Sequence, residues 1–257
     1  MPLKTSEAFV IDVRKLQEAD RLVVLFTEDE GKISGVAKSA ARSRRRFGGK
    51  LERLSRVRAT WFDKEGRELC RLDSCDLLDE SFSLHQDLRR AALLPYIAEM
   101  VDTFGREREA DERYYRLLKS VIAALREGGD PRTLARYFEV WTLRLHGLLP
   151  DMDRCASCGR DLSATGGSLI LGDTPGVFCR ACAKETPHGD GRWGGDVRLG
   201  PEAAALLAAF RNTAPGAVGT AAAGALATIG GAMEKMMTGF VGHPFRSRRF
   251  LREVEGA

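Results

Sequence analysis

Residues 21–49, RLVVLFTEDEGKISGVAKSAARSRRRFGG, hold the pattern that decides the fold. Arg21–Thr27 is rich in β-branched and apolar residues, and Lys32–Lys38 reads as a second strand. Between them Asp29-Glu30-Gly31 predicts a hairpin turn, with Gly31 free to take a positive φ. Working outward, Ala8, Val10 and Val13 mark an earlier strand, and Val57, Ala59 and Trp61 alternate with polar partners in a later one. Lys64-Glu65-Gly66 turns the chain into a fifth strand, Glu68–Leu77. Five short antiparallel strands this close together suit a small closed barrel, for which the five-stranded OB-fold is the commonest candidate.

The stretch ends in Ser39–Gly49, SAARSRRRFGG, which lies between two strands and predicts a long basic loop. Residues 38–58 carry nine basic side chains (Lys38, Arg42, Arg44, Arg45, Arg46, Lys50, Arg53, Arg56 and Arg58) against the single acid Glu52. That window is +8 in a chain of net charge +4, so everything else sums to −4. A concentrated cationic segment on a mildly acidic scaffold points to a polyanion. On a barrel of this kind, such loops track nucleic-acid backbones while aromatic side chains stack on bases. Phe47, Trp61 and Phe62 are the aromatics at hand, with Phe47 also suited to tuck into the barrel. No base-reading motif accompanies the loop, so the expected binding has no sequence preference. A solvated loop, an anionic lipid surface and an acidic protein partner are the competing readings.

From about residue 83 the period becomes helical. Leu84, Leu88, Ala91, Ala92, Ile97, Met100, Val101 and Phe104 recur at three and four, with Pro95 predicting a kink. Asp111–Glu127 continues the pattern to Gly128-Gly129. Asp130-Pro131 is a start signal for a helix through Leu145, which Gly147 and Pro150 end. Pro201 opens another helix through Phe210, and a last one carries Met233, Met236, Met237 and Phe240. Asn212–Met233 is uncharged over 22 residues, but its five glycines and Pro215 favour a Gly/Ala-rich helical hairpin over a membrane span. The amino terminus has no signal-peptide core, so a cytoplasmic protein is expected.

Four of the six cysteines stand as Cys155-Ala-Ser-Cys158 and Cys179-Arg-Ala-Cys182, with twenty residues between the pairs. Each C-x2-C places two sulfurs on one tight turn, and two such pairs complete a tetrahedral zinc site. With all four positions taken by thiolates the zinc, one per chain, would be structural. Arg154, Arg160 and Arg180 beside the ligands would offset the centre's −2 charge. Cys70 and Cys75, five apart in a strand, should face opposite sides and serve as small buried residues.

Catalytic patterns are missing. There is no P-loop and no H-E-x-x-H, the four histidines are scattered, and Gly189–Gly194 matches G-x-G-x-x-G without a strand leading in. The chain is therefore expected not to be an enzyme, with catalytic residues none. Asp151 and Asp153 are the one pair of acids weighed for a Mg²⁺-dependent nuclease.

FTEDEGKISGVAKSAARSRRR within Leu22–Arg46, FEVWTLRLHGLLPDMDRCASCG over Phe138–Gly159, and the terminal FRSRRFL resemble the RecO family of bacterial recombination mediators. The resemblance spans essentially the whole chain. It implies a DNA-repair protein that binds single- and double-stranded DNA and anneals complementary strands without ATP. It also implies a complex with RecR that helps RecA replace single-stranded DNA-binding protein, in the cytoplasm at the nucleoid. Lys38 and Arg42 fall in the family's DNA-binding loop, and the four cysteines match the zinc site of those members that keep one. Ser39 is a departure, since many relatives carry Gly there.

The reading is thus an α+β multidomain chain: an OB-fold nucleic-acid-binding barrel over 1–80 and a helical bundle in two parts, 81–152 and 187–257, around a four-cysteine zinc module at 153–186. The expected DNA contacts are Lys38, Arg42, Arg44, Arg45, Arg46, Lys50, Arg53 and Arg56. The carboxy-terminal His243–Arg252 is a second basic cluster, read either as a further DNA contact or as a cap with surface salt bridges. The alternative function is a zinc-ribbon adaptor whose basic loop binds an acidic partner.

Overall fold

The computed structural model describes residues 2–63, 66, 68–171, 175–186 and 196–255. The chain divides into two compact units, Met1–Ile122 with Ser247–Ala257, and Ala123–Arg246.

The first unit opens with β1 (Leu3–Lys15), β2 (Arg21–Thr27), β3 (Gly31–Ala37), a single helical turn α1 (Arg44–Phe47), β4 (Arg56–Phe62) and β5 (Leu69–Asp79). The strands close into a barrel in the order β1-β2-β3-β5-β4, the OB arrangement. One expectation needs correction. β3 and β5 run parallel, from Ser34 opposite Leu69 to Ala37 opposite Leu72. The reason is parity: five strands around a ring cannot alternate in direction without one like-directed pair. Nor is β1 short. It pairs with β4 through Leu3–Phe9 and with β2 from Ala8 onward.

Ala8, Val10, Val23, Leu25, Ile33, Val57, Ala59, Trp61 and Leu72 fill the barrel. Cys70 and Cys75 lie in that same core, not on opposite faces. Thr60 pairs with Ser74 but the next residue, Trp61, pairs with Leu72, so Asp73 is an extra residue in β5. That bulge resets the alternation and turns both thiols inward. Burial raises Cys70 to about 11 and Cys75 to about 12, so neither is a reactive thiol at neutral pH. At the β2–β3 turn Gly31 takes φ 64, and a Cβ there would collide with the Glu109 carbonyl.

Two helices follow, α2 (Leu88–Phe104) and α3 (Glu112–Arg126). α2 is capped by Asp87, whose carboxylate accepts from the Arg90 N–H at 2.9 Å, and it continues on both sides of Pro95. Tyr114 and Tyr115 of α3 cover the outer face of β1 and β2. Phe26 lies 5.6 Å from Tyr114 and 6.0 Å from Tyr115, and Phe9 lies 5.5 Å from Tyr115. This cover explains why Val23-Val24-Leu25-Phe26 is buried without alternation, whereas β3, covered on one side, alternates.

The boundary between units falls within α3. In the second unit α4 (Pro131–Leu145) begins at the predicted signal, with Asp130 accepting from the Thr133 N–H at 2.9 Å and Pro131 at the first position. β6 (Gly167–Ile170), β7 (Gly176–Phe178), α5 (Arg180–Glu185) and β8 (Asp196–Leu199) form a small module with sheet order β7-β6-β8. α6 (Pro201–Asn212) and α7 (Ala223–Val241) complete the unit. Asn212–Met233 thus comprises the end of α6, a short 3-10 turn at Pro215–Ala217 and half of α7. Among the described residues no helix is long and apolar enough to cross a membrane.

α4, α6 and α7 share a core of Phe138, Phe210, Met233, Met236 and Met237. The Trp141 indole donates to the Phe210 carbonyl at 2.9 Å, and the Tyr137 hydroxyl donates to that of Thr213 at 3.1 Å. Arg136 pairs with Glu139 at 2.9 Å, both buried, directly against Gly230 of α7. A Cβ at position 230 would overlap the guanidinium, which is why this helix carries glycine despite its helix propensity cost.

The sequence reading did not separate α8 (Arg246–Glu255) from the preceding helix. It belongs to the first unit from Ser247 onward and docks on α2. The Ser247 N–H donates to Glu99 at 2.8 Å, and Arg248, 5 % exposed, donates to the Tyr96 hydroxyl at 2.9 Å. His188, the Gly189–Gly194 motif, Lys64 and Glu65 lie outside the described residues.

Candidate nucleic-acid interface and metal centre

The basic segment is a loop with an apolar anchor. Phe47 is 2 % exposed and belongs to the barrel core, with Ala40 and Leu51 packed against it. Arg44, Arg45 and Arg46 form the short helix α1 that leads into Phe47, and the Phe47 N–H closes it on the Ser43 carbonyl at 3.1 Å. Burying Phe47 therefore holds the arginines before it on the outside.

The turn between β1 and β2 fixes the other side of the loop. Asp20 accepts from the Ser39 N–H at 2.7 Å, and the Ala41 N–H donates to the Ala19 carbonyl at 3.0 Å. Ser39 sits at φ 55, in the left-handed region where glycine would be at ease.

The eight candidate cations fall into four groups. Lys38, Arg44 and Arg45 are exposed and, among the described residues, make no side-chain ion pair or hydrogen bond. Arg42 is exposed and, among the described residues, pairs with Glu18 at 3.3 Å, a surface pair of little energetic weight. Arg46 and Lys50 tie the loop together. Arg46 donates to the Lys38 carbonyl at 2.9 Å and lies over Phe47, and Lys50 donates to the Arg45 carbonyl at 2.9 Å. Arg53 and Arg56 are bound to the barrel. Arg53 reaches Asp12 at 3.0 Å, and Arg56 reaches both Glu7 and Asp79 at 2.6 Å.

None of the aromatics at hand for stacking on bases is presented at the surface of this loop. Phe47 and Trp61 are buried in the barrel. Phe62 is half-buried, under the Arg71 guanidinium at 5.6 Å, and sits at the far end of β4 from the loop. Six residue steps along the strand separate Arg56 from Phe62, about 20 Å. Packing of a small barrel claimed the aromatics; the loop itself offers charge alone. Of the carboxy-terminal basic cluster, Arg248 is committed to α2, while Arg249 and Arg252 are exposed.

The four cysteines converge. Cys155 and Cys158 lie on the turn before β6, and Cys179 and Cys182 lie at the start of α5, with all four sulfurs within 4.8 Å of one another. Tetrahedral zinc with bonds of 2.3 Å sets sulfurs about 3.8 Å apart. Cys158 and Cys179 are at 3.9 Å. Burial opposes ionisation of Cys155, but backbone N–H groups of Cys158, Cys179 and Ser157 bring it down to about 6. The Cys182 N–H chiefly lowers Cys179. Ser157 also lowers Cys182, yet the crowd of neighbouring thiols lifts it to about 12. Four sulfurs this close resist ionising together, and a divalent cation removes that conflict. The donor set fits a metal ion held by these four residues.

Asp151 and Asp153 are engaged elsewhere. Asp151 accepts from the Asp153 N–H at 2.9 Å, and Asp153 pairs with Arg211.

A closed barrel with an exposed cationic loop, in one chain with a four-cysteine cluster and a helical unit, is the build of an OB-type binding protein. Comparison narrows the class. Residues 1–81 match the family model described as Recombination protein O N terminal, and residues 85–249 match Recombination protein O C terminal. A DNA repair protein RecO of Koribacter versatilis is 47% identical over 160 residues, 62% of this chain and 65% of that protein. Another, from Geobacter metallireducens, is 34% identical over 252 residues, 97% of each chain. The chain belongs to the RecO family of DNA repair proteins.

Proposed function

We propose that this protein is a recombination mediator that binds single- and double-stranded DNA without sequence preference and anneals complementary strands without ATP. The observation that carries the reading is the loop of Lys38, Arg44 and Arg45, exposed and free of acidic partners among the described residues. Two phosphate backbones repel each other; cations that neutralise both lower the barrier to pairing, and released counterions supply the free energy. The displaced aromatics narrow this account. Bases are left unstacked and available to a second strand, so the loop guides backbones and leaves pairing to the DNA.

In this reading Cys155, Cys158, Cys179 and Cys182 hold one zinc ion that ties the module together, and the chain performs no catalytic step. Assistance to RecA with RecR, and contact with single-stranded DNA-binding protein, are the partners the family suggests, at the nucleoid in the cytoplasm. The test is an annealing assay with complementary labelled strands and no nucleotide triphosphate. Accelerated pairing supports the reading. Protein that binds neither single nor double strands near physiological salt overturns it in favour of an adaptor for an acidic partner.

A further inference from the structure

Next to the cysteine cluster, wholly within the second unit, is an open cavity of about 610 Å³. Arg160, Arg180, Lys184 and Arg198 line it. All four are exposed and, among the described residues, none has an ion pair or side-chain hydrogen bond. They come from four places: the turn after Cys158, the two ends of α5, and β8. Only the folding of β8 beside β6 brings Arg198 to the others.

We infer that this cavity is a second phosphodiester site, able to hold a strand of nucleic acid separate from the one on the barrel loop; the inference rests on the DNA-binding reading above. Three features favour a sugar-phosphate backbone. First, unpaired guanidinium groups present forks of donors that match phosphate oxygens. The lining also holds two acids, Asp161, which the Ser163 N–H at 2.8 Å and hydroxyl at 2.6 Å keep ionised, and Asp196, so the four cations exceed the acids by two. Second, Gly200 contributes lining without a side chain, and a Cβ there would meet nothing within 4 Å, which leaves room for a close approach. Third, the large apolar residues of the wall, Leu162 and Leu199, are 2 % and 3 % exposed. A peptide partner normally needs a deep apolar anchor pocket, and the apolar side chain this wall leaves exposed is Pro201. A zinc tetrathiolate nearby would cancel much of the long-range field, so recognition at this site works by direct contact.

A protein that pairs two strands gains from holding both. The barrel loop supplies one set of contacts and this cavity the other.

The test uses the full-length protein with its metal, the double substitution Lys184→Glu with Arg198→Glu, and two non-complementary oligodeoxythymidine strands carrying a donor and an acceptor dye. The conservative pair Lys184→Arg with Arg198→Lys is the control, and metal content is measured in each. Wild type should bring the dyes together. The Glu variant should keep its metal and bind the first strand nearly as wild type, but lose energy transfer, with second-strand affinity down about tenfold or more. The control should restore transfer. Wild type that binds one strand without transfer, or a Glu variant whose transfer is unchanged, overturns the cavity assignment while leaving the barrel loop standing. Polyglutamate that abolishes transfer as efficiently as DNA of equal charge overturns it in favour of an acidic peptide. Wild type that binds no strand sinks the DNA reading itself.

Discussion

Replacing Lys38, Arg44 and Arg45 together with alanine should change the salt dependence of single-strand binding by a calculable amount. These three side chains stand free of the barrel's acids among the described residues, so each is ready to displace counterions from a phosphate. Each lost contact flattens the slope of log affinity against log salt by about 0.7, so three remove about 2.1. Between about 50 and 200 mM salt, a fourfold change, the gap between wild type and variant should narrow by about 18-fold. The matched control is Arg53→Ala with Arg56→Ala. Those guanidiniums already neutralise Asp12, Glu7 and Asp79, so this pair should leave the slope unchanged and instead lower stability by about 1–2 kcal/mol. Fluorescence anisotropy at five or so salt concentrations reads the slopes, and denaturant melts read the stability. Equal slope changes in the two variants would refute the division of the basic segment into free and committed cations.

Other consequences follow from the same geometry. Purified protein should carry about one zinc per chain, and Cys158→Ser should lose it and loosen residues 153–186 to hydrogen exchange; metal-free protein with that module fully protected would count against the site. Gly230→Ala should destabilise by about 1–3 kcal/mol through overlap with the buried Arg136, although helix propensity alone predicts a gain of about 1. Burial opposes ionisation of Asp12 and Asp63, yet Arg14 and Arg53 around the first, and Arg108 and Lys4 around the second, hold both carboxyls below their ordinary value. Their stabilisation is therefore present above about pH 4 and lost as the pH falls through the depressed folded values. Denaturation midpoints of wild type and Asp63→Asn should converge on acidification, and midpoints that stay apart at low pH would argue against it.

Much of this was legible because it is local. The run Arg21–Thr27, the turn at Gly31 and the cap at Asp130-Pro131 depend on neighbours in sequence, and the structure keeps all three. The two C-x2-C pairs are short-range signals whose meeting in space needs only that the module fold. What alternation misplaced was non-local. The bulge at Asp73 is set by how β5 must pair with both β3 and β4, and it turned Cys75 inward against simple period-two counting. Trp61, one of the aromatics considered for base stacking, follows the alternation of Val57 and Ala59 into the barrel interior, so there the local pattern prevailed. The inequality among the basic residues, like the bulge, lay beyond the sequence because it is non-local. Arg44 and Arg56 look alike in a charge count, but only one finds Glu7 and Asp79 across the sheet. Likewise nothing in the order of residues places Arg198 beside Arg160 and Arg180 before β8 pairs with β6.

In the proposed function DNA lies on the loop between β3 and β4. Hydrogen exchange of the full-length protein with and without saturating oligodeoxythymidine tests it most directly. Slowed exchange is expected across Ser39–Lys50, together with the turn at Leu16–Asp20 that the loop leans on. Saturable binding that leaves both segments unprotected would contradict it.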